Sequence, residues 1–156
     1  MKLRPQKDTI LYGDCRNTIP TIHERVQMCV TSPPYYGLRD YGGESSQIGQ
    51  EQTPEEYIEE LVKVFREVKN VLADDGTLWL NIGDSYYNYR PGKGQSYPKQ
   101  TVSKTKQDLP DKCNKRGNKL DGLKEKDLIG IPWLLAFALR KDGWYLRQDI
   151  IWHKPN

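Results

Sequence analysis

Five consecutive residues, Thr31-Ser32-Pro33-Pro34-Tyr35, concentrate the chemistry of this 156-residue chain. Serine contributes a hydroxyl, the two prolines contribute main-chain carbonyls with no amide proton beside them, and tyrosine contributes an aromatic face. The Ser32 hydroxyl and the Pro33 carbonyl are acceptors suited to the hydrogens of an amino group, and the proline rings fix the carbonyl directions in advance. A tyrosine ring beside them can stack on a planar base, a contact of about 1–3 kcal/mol on aromatic platforms. Metal chemistry is disfavoured, because Cys15, Cys29 and Cys113 form no CxxC pair and only His23 and His153 are present to complete a site.

The elements around this string predict where it sits. Residues 26–31, Val-Gln-Met-Cys-Val-Thr, read as a buried strand that must leave its sheet at Pro33-Pro34, because proline cannot donate to a central ladder. In open α/β sheets the carboxyl ends of strands are where ligands bind. Ile10-Leu11-Tyr12 reads as a shorter strand turning at Gly13-Asp14. Thr53-Pro54-Glu55-Glu56 is a capping-box start with proline at the first helical position, followed at helical spacing by Ile58, Leu61, Val62, Phe65, Val68 and Leu72. Asp74-Asp75-Gly76 then turns the chain into a strand over 77–83 that ends at Asp84-Ser85, and strand, helix, strand implies a parallel unit. A helix over 131–141, closed by Asp142-Gly143, and a strand over 145–152 complete the pattern. Trp79, Trp133, Trp144 and Trp152 read as packing residues.

Charge is uneven. The net formal charge is +3, yet residues 89–126 hold eleven Lys or Arg against four Asp or Glu, about +7 there and about −4 over the rest. Glycine, proline, lysine and asparagine dominate 87–126, which predicts a basic loop, poorly ordered without a partner, inside a single domain over 1–156. Lys104, Lys106, Lys115 and Arg116, mixed with Tyr89, Tyr97, Gln107, Asn114 and Asn118, suit phosphate and base contact. The start of the chain has no apolar signal core and no run is long enough to span a membrane, so a soluble protein of a reducing cytoplasm is expected.

Thr31-Ser32-Pro33-Pro34-Tyr35 resembles the Asp/Asn/Ser-Pro-Pro-Tyr/Phe motif of S-adenosylmethionine-dependent amino-methyltransferases. The likeness extends in the family's order to Gly13-Asp14-Cys15, to Tyr35-Tyr36-Gly37-Leu38-Arg39-Asp40-Tyr41-Gly42, to the segment 76–86 and to the segment 149–156. It implies the N-terminal catalytic part of a beta-type DNA enzyme. The implied fold is α/β, a partial Rossmann-like methyltransferase sheet with helices on both faces and a long basic loop insertion. The implied activity is methyl transfer to the exocyclic amino nitrogen of a base in duplex DNA. That nitrogen is conjugated with its ring, and acceptors that hold its hydrogens aim the lone pair at the methyl group. The base must first be flipped out of the stack. Ser32, Pro33, Pro34 and Tyr35 are then the catalytic set, Asp14 and Ser32 approach the cofactor, and Tyr36 with the loop residues Lys104, Lys106, Lys115 and Arg116 face DNA.

Serine at the first motif position is associated in this family with cytosine N4 enzymes and aspartate with adenine N6 enzymes, so cytosine is preferred and adenine is the alternative. A non-catalytic DNA-binding module and an RNA or protein amino-methyltransferase are the readings from other classes. The strand and glycine-rich turn that hold S-adenosylmethionine in this family have no counterpart here: Gly42-Gly43 follows the proline loop, and Gly92-Lys93-Gly94 lies in the polar loop. The expectation is therefore a fragment, inactive alone, whose sheet lacks strands and which self-associates or docks with a missing C-terminal half.

Overall fold

Strand β1, Val26–Thr31, and strand β2, Leu72–Leu80, pair in parallel in the computed structural model, which describes residues 8–38, 47–87, 120 and 122–155. Helix α2, Pro54–Val71, joins them, and the chain is thus α/β with the predicted parallel unit at its centre. A one-turn helix α1, Cys15–Thr18, and a 3-10 turn, Ile19–Thr21, precede β1; helix α3, Ile131–Lys141, follows β2.

Helix α2 begins where the capping box places it. Thr53 accepts a hydrogen bond from the Glu56 amide at 3.2 Å, and the Glu56 carboxylate accepts from the Thr53 amide at 3.3 Å, so two otherwise orphaned donors are satisfied reciprocally. At the other end, Arg25 donates to the carbonyls of Asn70 and Leu72, each at 2.8 Å, and brings a positive charge to the negative end of the helix dipole. Tyr57, Ile58, Leu61, Phe65 and Val68 of α2 then meet Ile131, Leu135 and Leu139 of α3 in one core, covered from the sheet side by Val26, Cys29, Leu78 and Leu80. Each large apolar side chain buried there contributes about 1.5–3 kcal/mol.

Strand β2 starts earlier than the sequence predicts. Its pairing begins at Leu72, and the step from Leu72 to Thr77 lies opposite the step from Val26 to Met28, so Asp74-Asp75-Gly76 forms a bulge inside the strand. A Cβ at Gly76 would stand 2.9 Å from the Ala73 carbonyl oxygen, and for that reason the bulge takes glycine. The strand ends at Leu80, before the predicted limit at Gly83.

Three expectations are corrected. Residues 10–12 and 145–152 are not strands: a strand exists only through its ladder partner, and among the described residues the sheet holds β1 and β2 alone. Among the described residues, helices do not cover both faces. Met28, Val30 and Trp79 on the second face are 57%, 69% and 47% exposed, with no described element packed on them. The tryptophans, finally, are not all packing residues. Trp144 joins the core, while Trp133 on the outer side of α3 and Trp152 are exposed. The basic residues Lys104, Lys106, Lys115 and Arg116, and the predicted disorder of their loop, lie outside the described residues. Among the described residues no helix is long and apolar enough to cross a membrane.

Because the Thr53 side chain satisfies an amide of the first turn of α2, Thr53→Ala should lower unfolding free energy by about 1 kcal/mol in urea titration with unchanged slope.

Candidate active site

The Ser32–Tyr35 string leaves the sheet at the carboxyl end of β1, beside the carboxyl end of β2. Thr31 pairs with Leu80, and the Asn81 amide donates to the Thr31 carbonyl at 2.9 Å, the last rung before the prolines interrupt the ladder. Ser32, Pro33, Pro34 and Tyr35 are thus together at the strand end, as expected, next to the end of β2 but not beside a strand at residues 10–12.

The loop that follows is pinned at successive peptide groups. The Pro34 carbonyl accepts from the Tyr57 hydroxyl at 2.8 Å, the Tyr35 carbonyl from the Leu38 amide at 3.3 Å, and the Tyr36 carbonyl from the Ser85 hydroxyl at 2.9 Å. The Gly37 amide donates to the Gly49 carbonyl at 2.9 Å. Gly49, at φ 94°, lies under the backbone of Pro34 and Tyr35, where a Cβ would come within 3.1 Å of the Tyr35 carbonyl oxygen. Among the described residues, the Pro33 carbonyl and the Ser32 hydroxyl make no hydrogen bond. Two acceptors are therefore left open just before three successive carbonyls, of Pro34, Tyr35 and Tyr36, that are already engaged.

The two tyrosines of the loop differ in role. The Tyr35 ring lies against Gly83, with its Cε2 2.9 Å and its Cδ2 3.2 Å from the place a Cβ would occupy. It is half-buried. Tyr36, expected to face DNA, packs its ring 5.4 Å from that of Tyr57 and donates its hydroxyl to the Gln52 carbonyl at 3.2 Å. Burial, reinforced by Glu55, Glu51 and Glu56, pushes the Tyr36 phenol up to about 12, so it remains a neutral donor. An aromatic side chain with a polar tip gains more from that half-buried place than from solvent.

Asp14 is tied to its own helix. Its carboxylate accepts from the Arg16 amide at 2.9 Å as the N-cap of α1 and pairs with the Arg16 guanidinium at 2.6 Å, while Arg16 reaches Glu60 of α2 at 3.6 Å. The Arg16 hydrogen bonds hold the Asp14 carboxyl below the usual carboxylate range. Both oxygens thus accept from Arg16.

Asp84 has a role that local reading could not assign. Helix α3 has Gly130 at its N-cap, at φ 88°, with no capping side chain of its own. The Asp84 carboxylate, just beyond β2, accepts from the Gly130 and Ile131 amides, each at 3.0 Å, and from the Ser85 amide at 2.8 Å. A cap from 46 positions upstream thereby fastens α3 to the strand end. Between these two points the basic insertion leaves and returns: Tyr86 bridges Leu128 in antiparallel fashion, the Tyr87 amide donates to the Asp127 carbonyl, and the Lys126 amide donates to the Tyr87 carbonyl, both at 2.8 Å. Both stems of the insertion consequently stand at the same end of the sheet as the proline loop.

Missed by the sequence reading were Tyr57, Gly83 and Gly49. Tyr57 carried a usable signal, since it precedes Leu61, Val64, Phe65 and Val68 at helical spacing and a buried phenol requires a hydrogen-bond partner. Gly83 and Gly49 matter through contacts distant in sequence.

Gly83→Ala should displace the Tyr35 ring, seen as altered ring proton shifts by NMR. The ring can swing away, so the change should cost less than about 1 kcal/mol in unfolding free energy, below the usual range for an overpacked core.

Comparison with known proteins completes this picture. Residues 26–156 match the N6/N4-methyltransferase family model, described as DNA methylase. The chain is 49% identical over 153 residues to the Type II methyltransferase M.SmaI of Serratia marcescens, covering 94% of this chain and 48% of that protein. It is 48% identical over 160 residues to the Type II methyltransferase M.XycI of Xanthomonas campestris pv. cyanopsidis, covering 99% and 50%, and 47% identical over 149 residues to the Type II methyltransferase M.Cfr9I of Citrobacter freundii, covering 95% and 47%. The chain spans about half the length of these relatives. No solved structure matches it significantly. With its proline loop at the end of a parallel strand and this family match over most of its length, the chain belongs to the N6/N4 DNA methylase family.

Proposed function

We propose that this chain is the target-base half of a site-specific DNA methyltransferase that modifies the exocyclic amino nitrogen of a flipped base, cytosine N4 in preference to adenine N6. The observation that carries the reading is the pair of unengaged acceptors, the Pro33 carbonyl and the Ser32 hydroxyl, on a loop whose next three carbonyls, of Pro34, Tyr35 and Tyr36, are held. Acceptors fixed before the reaction stabilise the amino group as its lone pair turns outward, with no reorganisation of the backbone. Tyr35, resting on Gly83, is the platform on which the extruded base stacks. Ser32 at the first motif position favours cytosine through the family association given above. The basic insertion, rooted at the same strand ends, supplies phosphate contacts on that side.

S-adenosylmethionine, the methyl donor the family implies, finds only part of a site in the described residues. Gly13 follows no strand and the Asp14 carboxylate is taken up by Arg16, so neither forms the glycine-rich cradle. Among the described residues, the contribution lies chiefly on the side of the acceptor base. The bare sheet face of Met28, Val30 and Trp79, the outer side of α3 with Trp133, Leu134 and Phe137, and the exposed apolar residues over 145–152 form the surface on which the remaining half of the protein docks.

The test is a labelled-methyl assay on duplex DNA followed by nucleoside analysis, run on the full-length protein and on the isolated 156-residue chain. The full-length protein should yield N4-methylcytosine and the isolated chain no turnover. N6-methyladenine would reverse the base assignment, and no methylation by the full-length protein would favour a DNA-binding module. Tyr35→Ala in the full-length protein should lower turnover by about fivefold to a hundredfold, given a stacking contribution of about 1–3 kcal/mol, with a melting temperature close to that of the unaltered protein.

A further inference from the structure

We infer that Tyr57 is a positioning residue for methyl transfer: its hydroxyl, bonded to the Pro34 carbonyl, sets the direction in which the neighbouring Pro33 carbonyl meets the target amino group. The inference rests on the function proposed above and adds to it a residue from outside the motif.

The geometry is specific. Tyr57 is fully buried, at 0% exposure, in the first turns of α2, where the Thr53–Glu56 capping box fixes the start of the helix and the Tyr57 amide itself donates to the Thr53 carbonyl. The phenol is thus delivered from a rigid element, and its hydroxyl stands 2.8 Å from the Pro34 oxygen. Few torsions separate that oxygen from the Pro33 carbonyl. The Pro34 ring locks one, and a residue preceding proline is held to extended ψ, which restricts Pro33. Anchoring the Pro34 carbonyl therefore removes most of the remaining freedom of the Pro33 carbonyl. A displacement of about 1 Å at a reacting group can lower the rate by about a hundredfold.

Tyr57 is suited to this task for a second reason. Burial, assisted by Glu51 and by Tyr35, holds its phenol well above the ordinary tyrosine value, so it stays a donor throughout the working pH range. Its ring also packs against Tyr36, whose own carbonyl is held by Ser85 on the opposite side of the loop. Phenylalanine would keep all the packing and remove the single hydrogen bond.

The experiment compares the full-length protein with its Tyr57→Phe and Val68→Ala variants, measuring kcat, KM for duplex DNA and thermal unfolding. Val68 lies on the same buried face of α2, away from the loop, and reports what loss of packing alone does. Tyr57→Phe should lower kcat by about tenfold while KM stays within about twofold, the mark of an interaction made in the transition state. Val68→Ala should lower the melting temperature at least as much and leave kcat unchanged. An unaltered kcat in Tyr57→Phe, or a fall matched by Val68→Ala at equal loss of melting temperature, would reduce Tyr57 to a packing residue while the proposed function stands. Absence of methylation by the unaltered full-length protein would overturn the function and, with it, this role.

Discussion

Two consecutive residues without amide protons, placed directly after a parallel strand, govern the arrangement of this molecule. β1 can pair with β2 only as far as Thr31 and Leu80, and Pro33-Pro34 then carries the chain off the sheet with stiff φ angles and no donors. Everything nearby answers that departure. Tyr57 takes the Pro34 carbonyl, Ser85 takes the Tyr36 carbonyl, and Gly49 and Gly83 withdraw side chains from the backbone and ring of Tyr35. Rigidity in the loop thus comes from two sources, covalent in the prolines and tertiary in their neighbours, and the second decides which oxygen remains available.

The same strand ends gather the rest of the structure. Asp84 satisfies the amides at the start of α3 and so fastens one wall of the core to the end of β2. The stems of the basic insertion are clasped between Asp84 and Gly130, at the strand end from which the proline loop departs. On the opposite side of the sheet, Met28, Val30 and Trp79 stand in water with the character of interior residues. Helix α3 is apolar on two sides, as a helix packed between partners would be. In the proposed reading these surfaces belong to the interior of a protein about twice this length.

Local signals in the sequence were strong enough to determine β1, the start of α2 to the residue, α3, the parallel connection and the position of the motif at a strand end. Each rests on short-range physics: proline's missing donor, the reciprocal capping box, and helical spacing of apolar side chains. Residues 10–12 and 145–152 have the composition of strands and are not strands here, because a ladder requires a partner that composition cannot supply. Trp79, Trp133 and Trp152 went astray for a related reason, since an aromatic residue is buried only where another surface meets it. The roles of Tyr57, Gly83 and Asp84 were decided by the tertiary structure alone. A hydroxyl on α2 reaching a carbonyl after β1, a glycine yielding to a ring 48 positions earlier, and a carboxylate capping a helix 46 positions later are contacts that exist only once the chain has closed upon itself.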